Sequence, residues 1–385
     1  MTPKQILKST ICFEEENKSI FNEFNKNFED KLLFFEKINN EEYLVLKDIN
    51  KKVKYKSRNI GLYTFKNKNL IEHKLYECKK MSLMKKYKNI TIDFGNKKEK
   101  RHLYNPCYSF SYTHLELKSG KKNKFSNLII FSCRYLGNYF NVQNADKNIN
   151  VYCEDFVTCI KAKNKESSGI FYTGLYNGKL IEWEINSNFE IKETKHIYSH
   201  GSSITALELY DRQNIVVTGS EDKYIHIRKQ YDFELLTVIN LNYLYPKSDF
   251  SQNLNIFPSL IKISDLNLLY VLLYNLDKET SFIRGYNLNG LFFAETEDIG
   301  NKNVINSISF TKNSNLIIGF FNLNQYYLLQ SWDLNVYKQF DINVSKNKEG
   351  TKFITYEPSL DIFHLLYDNE FIRTYFSEND KISDF

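Results

Sequence analysis

The chain has 385 residues, 42% hydrophobic and 16% aromatic, which supplies enough apolar surface for a large core. With 28 Tyr and 30 Phe against 5 Pro and 14 Gly, the composition favours strands and excludes a collagen-like or Pro-rich chain. The net charge of +6 hides an asymmetry: residues 1–150 hold 30 Lys and Arg against 16 Asp and Glu, and the remainder 22 against 30.

No basic-then-apolar leader opens the chain, and no run approaches the roughly 18 apolar residues of a membrane-spanning helix. Residues 1–50 read as an irregular, partly helical N-terminal segment. Within it, Glu29 to Phe35 fits a short helix or a strand, and the pattern leaves both open. From about residue 58, short apolar runs alternate with Asn-, Gly-, Lys- and Asp-rich turns. Such spacing points to a sandwich, a barrel or a propeller.

Internal repetition decides among these. Thr173-Gly174 and Thr218-Gly219 recur 45 residues apart, each after a strand-like run and before a tight turn. A repeat of about 40–45 residues with four strands is a propeller blade. Looser copies lie downstream, starting near Leu260, Ile305 and Lys352, and upstream at Ile60 to Tyr76 and Leu128 to Val142. The expected architecture is therefore all-β. It is a seven-bladed β-propeller over residues 51–376, with segment 1–50 before it and a polar tail, 377–385, after it. Residues 143–155 and 241–256 read as loop excursions.

The two best repeats resemble the WD-repeat family, in which a His, a turn Asp and a strand-end Trp form a buried network. Here His200 supplies the imidazole and Asp222 the turn acid, while Arg228 stands six residues on, where Trp is expected. One repeat earlier, Asn177 precedes Trp183 by the same spacing, and a later repeat holds the literal dipeptide Trp332-Asp333. Trp183, His200, Asp222, Trp332 and Asp333 are thus expected to be structural blade residues, packed away from any pocket. An acid in a tight turn bonds nearby backbone, and a buried imidazole beside it satisfies both groups.

A narrower resemblance is to the C-terminal propeller of BEACH-domain proteins. Thr2-Pro3-Lys4-Gln5-Ile6-Leu7 resembles the stretch that closes the BEACH domain. The stretches Phe131 to Val142 and Phe156-Val157-Thr158-Cys159-Ile160 resemble successive blade strands of that family, as do Tyr243-Leu244-Tyr245-Pro246 and Tyr286 to Leu291 further on. The matches occur in the family's order. The BEACH domain itself would lie before Met1. The resemblance implies a cytoplasmic scaffold of vesicle traffic and autophagy, binding other proteins through its propeller faces and peripheral on membranes or vesicles.

Catalytic signatures are missing: no phosphate-cradling GxxxxGK[ST], no HExxH and no GxSxG occurs. The six cysteines form no CxxC pair, so zinc, a redox pair and a disulfide framework are not indicated. His196 and His200 are four apart in a turn-and-strand context, which does not suit a metal pair. The expectation is no enzyme, no cofactor and no metal. Lysines cluster with aromatics at Lys51, Lys52, Lys54, Lys56 and Arg58, and again at Lys121, Lys122 and Lys124. Solvated loops are the plain reading of such runs. As contacts they suit an anionic surface, a membrane ahead of nucleic acid. The alternative function is a basic propeller that binds RNA or a ribonucleoprotein.

Overall fold

The computed structural model describes the backbone of residues 7–11, 31–37, 42–49, 57–66, 69–79, 110–119, 124–133, 138–143, 148–163, 169–242, 255–275, 278, 280–296, 305–311, 313–320, 325–342, 352–357, 362–367 and 370–375. Side-chain detail is confined to positions between 128 and 339. Every regular element among the described residues is a strand.

After β1 (Leu7–Ile11), the strands fall into consecutive antiparallel meanders. The first sheet is β2 (Lys31–Lys37), β3 (Glu42–Ile49), β4 (Ser57–Lys66) and β5 (Asn69–Lys79). The next is β6 (Phe110–Ser119), β7 (Lys124–Cys133), β8 (Tyr139–Gln143) and β9 (Asn148–Tyr152). Then come β10 (Val157–Ala162), β11 (Ile170–Leu175), β12 (Lys179–Ile185) and β13 (Ile191–Tyr198). A fourth sheet holds β14 (Ile204–Tyr210), β15 (Ile215–Ser220), β16 (Tyr224–Lys229) and β17 (Leu235–Asn240). A fifth holds β18 (Ile256–Ile263), β19 (Leu268–Asn275), β20 (Thr280–Asn287) and β21 (Phe292–Glu295). The sixth is β22 (Ile305–Phe310), β23 (Leu316–Phe320), β24 (Gln325–Leu329) and β25 (Val336–Ile342), and β1 joins it in parallel along β25. Last come β26 (Lys352–Glu357), β27 (Ile362–Tyr367) and β28 (Glu370–Tyr375).

The first strands of the sheets adjoin one another: β6 meets β10, β10 meets β14, β14 meets β18, β22 meets β26, and β26 meets β2. Sheets arranged around their first strands are the blades of a β-propeller. The residue pattern explains the stacking. Second strands are covered on both faces, so β15 (IVVTGS) is buried throughout and β19 nearly so. Outer strands alternate or face solvent, as in the polar β13. The apolar clusters lie between blades. Leu128, Ile130 and Phe140 pack with Phe171 and Trp183 of the next sheet, and Tyr270 and Leu272 pack with Ile305 and Ile308.

Two irregularities recur. Five first-to-second strand pairings carry a bulge, at Thr158, Thr205, Ser259, Asn306 and Leu33. Five third-to-fourth pairings carry another, which places Trp183, Arg228, Tyr286, Leu329 and Tyr63 in equivalent positions. At two of these first bulges a hydroxyl reaches the next blade, whereas Ser259 Oγ donates to the Leu272 carbonyl of its own blade. Thr158 Oγ1 donates to the carbonyl of Ile204 at 2.5 Å, and Thr205 Oγ1 donates to that of Pro258.

The N-terminal segment differs from expectation. Residues 1–50 contain β1, β2 and β3, and β2 and β3 share a sheet with β4 and β5. The division at residue 50 therefore falls inside a sheet, and no helix is found there among the described residues. Cross-strand pairing of β2 with β3 overrides the ambiguous local pattern over Lys31 to Phe35. The expected loop 143–155 likewise contains β9. Residues 243–254 and the tail after Phe376 lie outside the described residues.

Candidate functional site

The densest polar cluster lies where the turn between β15 and β16 meets the segment entering β14. The tight turn is set by sequence: Asp222 caps it, its Oδ1 accepting the Tyr224 amide at 3.1 Å, with Lys223 at φ 71°. Asp222 Oδ2 also accepts the Gly201 amide at 3.0 Å and His200 Nδ1 at 3.0 Å. His200 Nε2 lies 2.9 Å from Thr218 Oγ1. Both ring nitrogens are thus engaged, and the His200 side chain is 0% exposed. The chain continues through Ser199 Oγ, 3.3 Å from His226 Nδ1 and 3.2 Å from Arg228 Nε. The His200 and His226 rings stack at 4.0 Å.

The electrostatics follow from burial and neighbours. Burial alone would raise the Asp222 carboxyl, but the hydrogen bond and charge of His200 outweigh it and hold it below its ordinary value. His226 is pushed down to about 4, first by burial and then by the charges of His200 and Arg228. Burial pushes the Cys153 and Cys159 thiols up to about 12. These cysteines are free and buried, as suits packing residues.

One blade earlier, the other half of the network is present. Trp183 is 6% exposed, and its Nε1 donates to Thr173 Oγ1 at 2.9 Å. The ring stacks on Phe171 and meets Phe140 edge-on. At the turn, Asn177 takes the place of Asp222, and its Oδ1 accepts the Lys179 amide at 3.2 Å. Glu154 stands where His200 stands in the next blade. It accepts from Asn177 Nδ2 at 2.8 Å, Lys179 Nζ at 3.0 Å and Tyr198 OH at 3.1 Å. These bonds, Asn177 foremost, hold its carboxyl below the usual range.

Sequence reasoning missed Glu154 because it searched for an imidazole. Counting back the 45-residue repeat from His200 reaches Asp155, the neighbour of Glu154. It also missed buried Arg284, whose Nε pairs with Glu295 at 2.5 Å and whose Nη1 donates to the Leu241 carbonyl at 2.6 Å.

Trp332 is a correction. It is 61% exposed, in the turn between β24 and β25, not packed in a blade. The bulge register gives the Trp place in that blade to Leu329, which is 0% exposed. Asp333 belongs to the same turn, where its Oδ1 accepts the Asn335 amide at 3.0 Å. The literal dipeptide thus falls three residues beyond the strand position.

His196 and His200 do not converge. His196 is on β13, bonded to Glu193 at 2.5 Å, while His200 faces Asp222. Among the described residues no group of three or more His, Cys, Asp or Glu could hold a metal ion. Lys51, Lys52, Lys54, Lys56, Lys121 and Lys122 lie outside the described residues, and Arg58 and Lys124 are placed on β4 and β7 by backbone alone. Chemically, the network closes on itself: donors and acceptors meet within the blade, and the His200 imidazole is shut off from solvent.

No family model and no curated protein matches the sequence. Among solved structures the fold is similar to the beta-propeller domain of Myceliophteria thermophila Cps50 (Swd1). The TM-score is 0.50 at 8% identity, over 87% of this chain and 94% of that one. At that identity the likeness shows the fold, a β-propeller, and nothing finer.

Proposed function

We propose that this chain is a non-enzymatic scaffold, a WD-repeat propeller of seven blades that binds other proteins. In this reading it is the propeller part of a BEACH-type protein of vesicle traffic. The observation that carries the scaffold reading is the destination of the polar side chains. His200, Asp222 and Thr218 in one blade, and Glu154, Asn177 and Thr173 with Trp183 in the one before it, are engaged in holding turns and packing strands. A fold so held offers rigid loop faces for binding and keeps its reactive groups inside. The traffic role rests on the ordered resemblances from Thr2 to Leu291, and peripheral contact with anionic membrane rests on the lysines at 51–56 and 121–124.

Proximity labelling with the full chain in cells tests the role. The expected outcome is enrichment of vesicle-coat and fusion proteins. Enrichment of ribonucleoproteins instead overturns the traffic reading in favour of the RNA-binding one. Flotation with anionic and neutral vesicles tests the membrane contact. Binding only to anionic vesicles, lost when Lys51, Lys52, Lys54 and Lys56 are changed to Glu, is expected, and failure to float sinks it.

A further inference from the structure

The outer strands of the blades differ in how they meet solvent. The third-to-fourth strand bulge gives them a common register, so equivalent positions can be compared directly. On β13 the two residues at the bulge and the next one on that face are Glu193, Thr194 and His196. Charges and polar groups on an open edge deter another strand from pairing with it. On β17 the same three positions are Leu235, Leu236 and Val238, which are 43%, 46% and 46% exposed. The β17 sequence, LLTVIN, contains no charge. Among the described strands it pairs with β16 on one side, and its other edge has no strand partner. Thr237 and Ile239 turn to the neighbouring hairpin, where Gly290 approaches both and Thr237 Oγ1 donates to the Leu288 carbonyl at 3.4 Å. Among the described residues the strand is therefore packed from one side and has no strand at its rim.

The same molecule shows what covers such a rim. On β25 the outer edge is taken by β1, an extended segment from a distant part of the chain, in parallel from Leu7 against Lys338 to Ile11 against Ile342. Lys338 and Gln339 beneath it are buried. A blade edge of this protein thus accepts a fifth strand that its own meander does not supply.

We propose that β17 is a docking strand: an extended, uncharged segment of a partner protein adds to it as a fifth strand. Backbone hydrogen bonds would form along the β17 edge, and apolar side chains at alternate partner positions would cover Leu236 and Val238. The proposal rests on the scaffold reading and names the surface by which one class of partner is held.

The probe is an array of glutamine-flanked six-residue peptides alternating Val, Ile or Leu with Thr or Ser. They are tested against the full chain by fluorescence anisotropy and by amide hydrogen exchange. Saturable binding with new protection confined to β17 is expected. N-methylation of alternate peptide amides should abolish it, because the edge bonds are lost. The substitutions Leu236→Lys and Val238→Lys should weaken it by at least about tenfold, as charged edges oppose strand addition. Both side chains are half exposed, so the variants should keep the wild-type melting temperature. In the variants, an unchanged affinity overturns the proposal. So does protection that appears elsewhere, or an array in which nothing binds. Each of these outcomes leaves the scaffold reading standing, since proximity labelling tests that reading without reference to β17.

Discussion

Replacing Asp222 by Ala should cost the fold about 3 kcal/mol. The carboxylate accepts from His200 Nδ1 and from the amides of Gly201 and Tyr224. Its removal strands the His200 Nδ1 donor in a place where the ring has no solvent exposure. A stranded buried donor costs about 1–3 kcal/mol, and each of the two turn amides, which water can partly reach, loses up to about 1 kcal/mol. Asp222→Asn keeps an acceptor, as Asn177 does at the same turn one blade earlier, and should lose about half as much. Equilibrium urea unfolding at pH 7, followed by circular dichroism and by fluorescence, measures both. Coincident transitions license the free-energy comparison. A double-mutant cycle with His200→Phe should show a coupling above about 1 kcal/mol, because either single change breaks the hydrogen bond between His200 Nδ1 and the carboxylate. If Asp222→Ala lies within about 0.5 kcal/mol of wild type, as an ordinary surface substitution does, the network does not hold this blade.

Acid should weaken the fold in a defined window. The folded-state value of His226 is lowered from 6.5 to about 4, so the unfolded chain binds the extra proton first. Stability is then full above the unfolded value and falls as pH drops from 6.5 towards 4. The urea midpoint should track this, and His226→Phe should flatten the slope; an unaltered slope in that variant speaks against the assignment. Gly178→Ala should be severe, because Gly178 has φ +82° and an added Cβ would lie 2.1 Å from the His200 carbonyl oxygen. A loss above about 2 kcal/mol is expected by thermal melting, and a mild effect would show that the turn relaxes. The two tryptophans give an optical check. Trp332→Phe should leave blue-shifted emission resistant to iodide, and Trp183→Phe should leave red-shifted, readily quenched emission; the reverse pattern contradicts the bulge register.

The blades that repetition picked out, around Thr173 and Thr218, are those where strand pattern and turn chemistry agree. There, the WD-repeat resemblance placed His200 with Asp222 in one blade and Trp183 in the blade before it, and both are engaged in hydrogen bonds of their own blade. Elsewhere the information is not local. Lys31 to Phe35 becomes a strand because β3 pairs with it, a contact that no pattern within the segment encodes. Trp332 was misread because the bulge in β24–β25 sets the register, and a bulge adds a residue without a fixed sequence mark. The first-strand bulge does leave a trace, a hydroxyl at Thr158, Thr205 and Ser259, visible only once the pairing is known. Glu154 was invisible for a chemical reason. A carboxylate facing an amide does the work that an imidazole facing a carboxylate does next door.

Those hydroxyls have a consequence for how the sequence can change over time. Thr158 and Thr205 each hold the following blade by its main-chain oxygen, at Ile204 and Pro258. Every residue offers that oxygen, so the neighbour's side chain is left free to drift. Joints of this kind tolerate wholesale replacement of one blade's sequence while its place beside the next is kept. A chain assembled through them can hold a shared architecture with another propeller at 8% identity, with little left in common but the geometry.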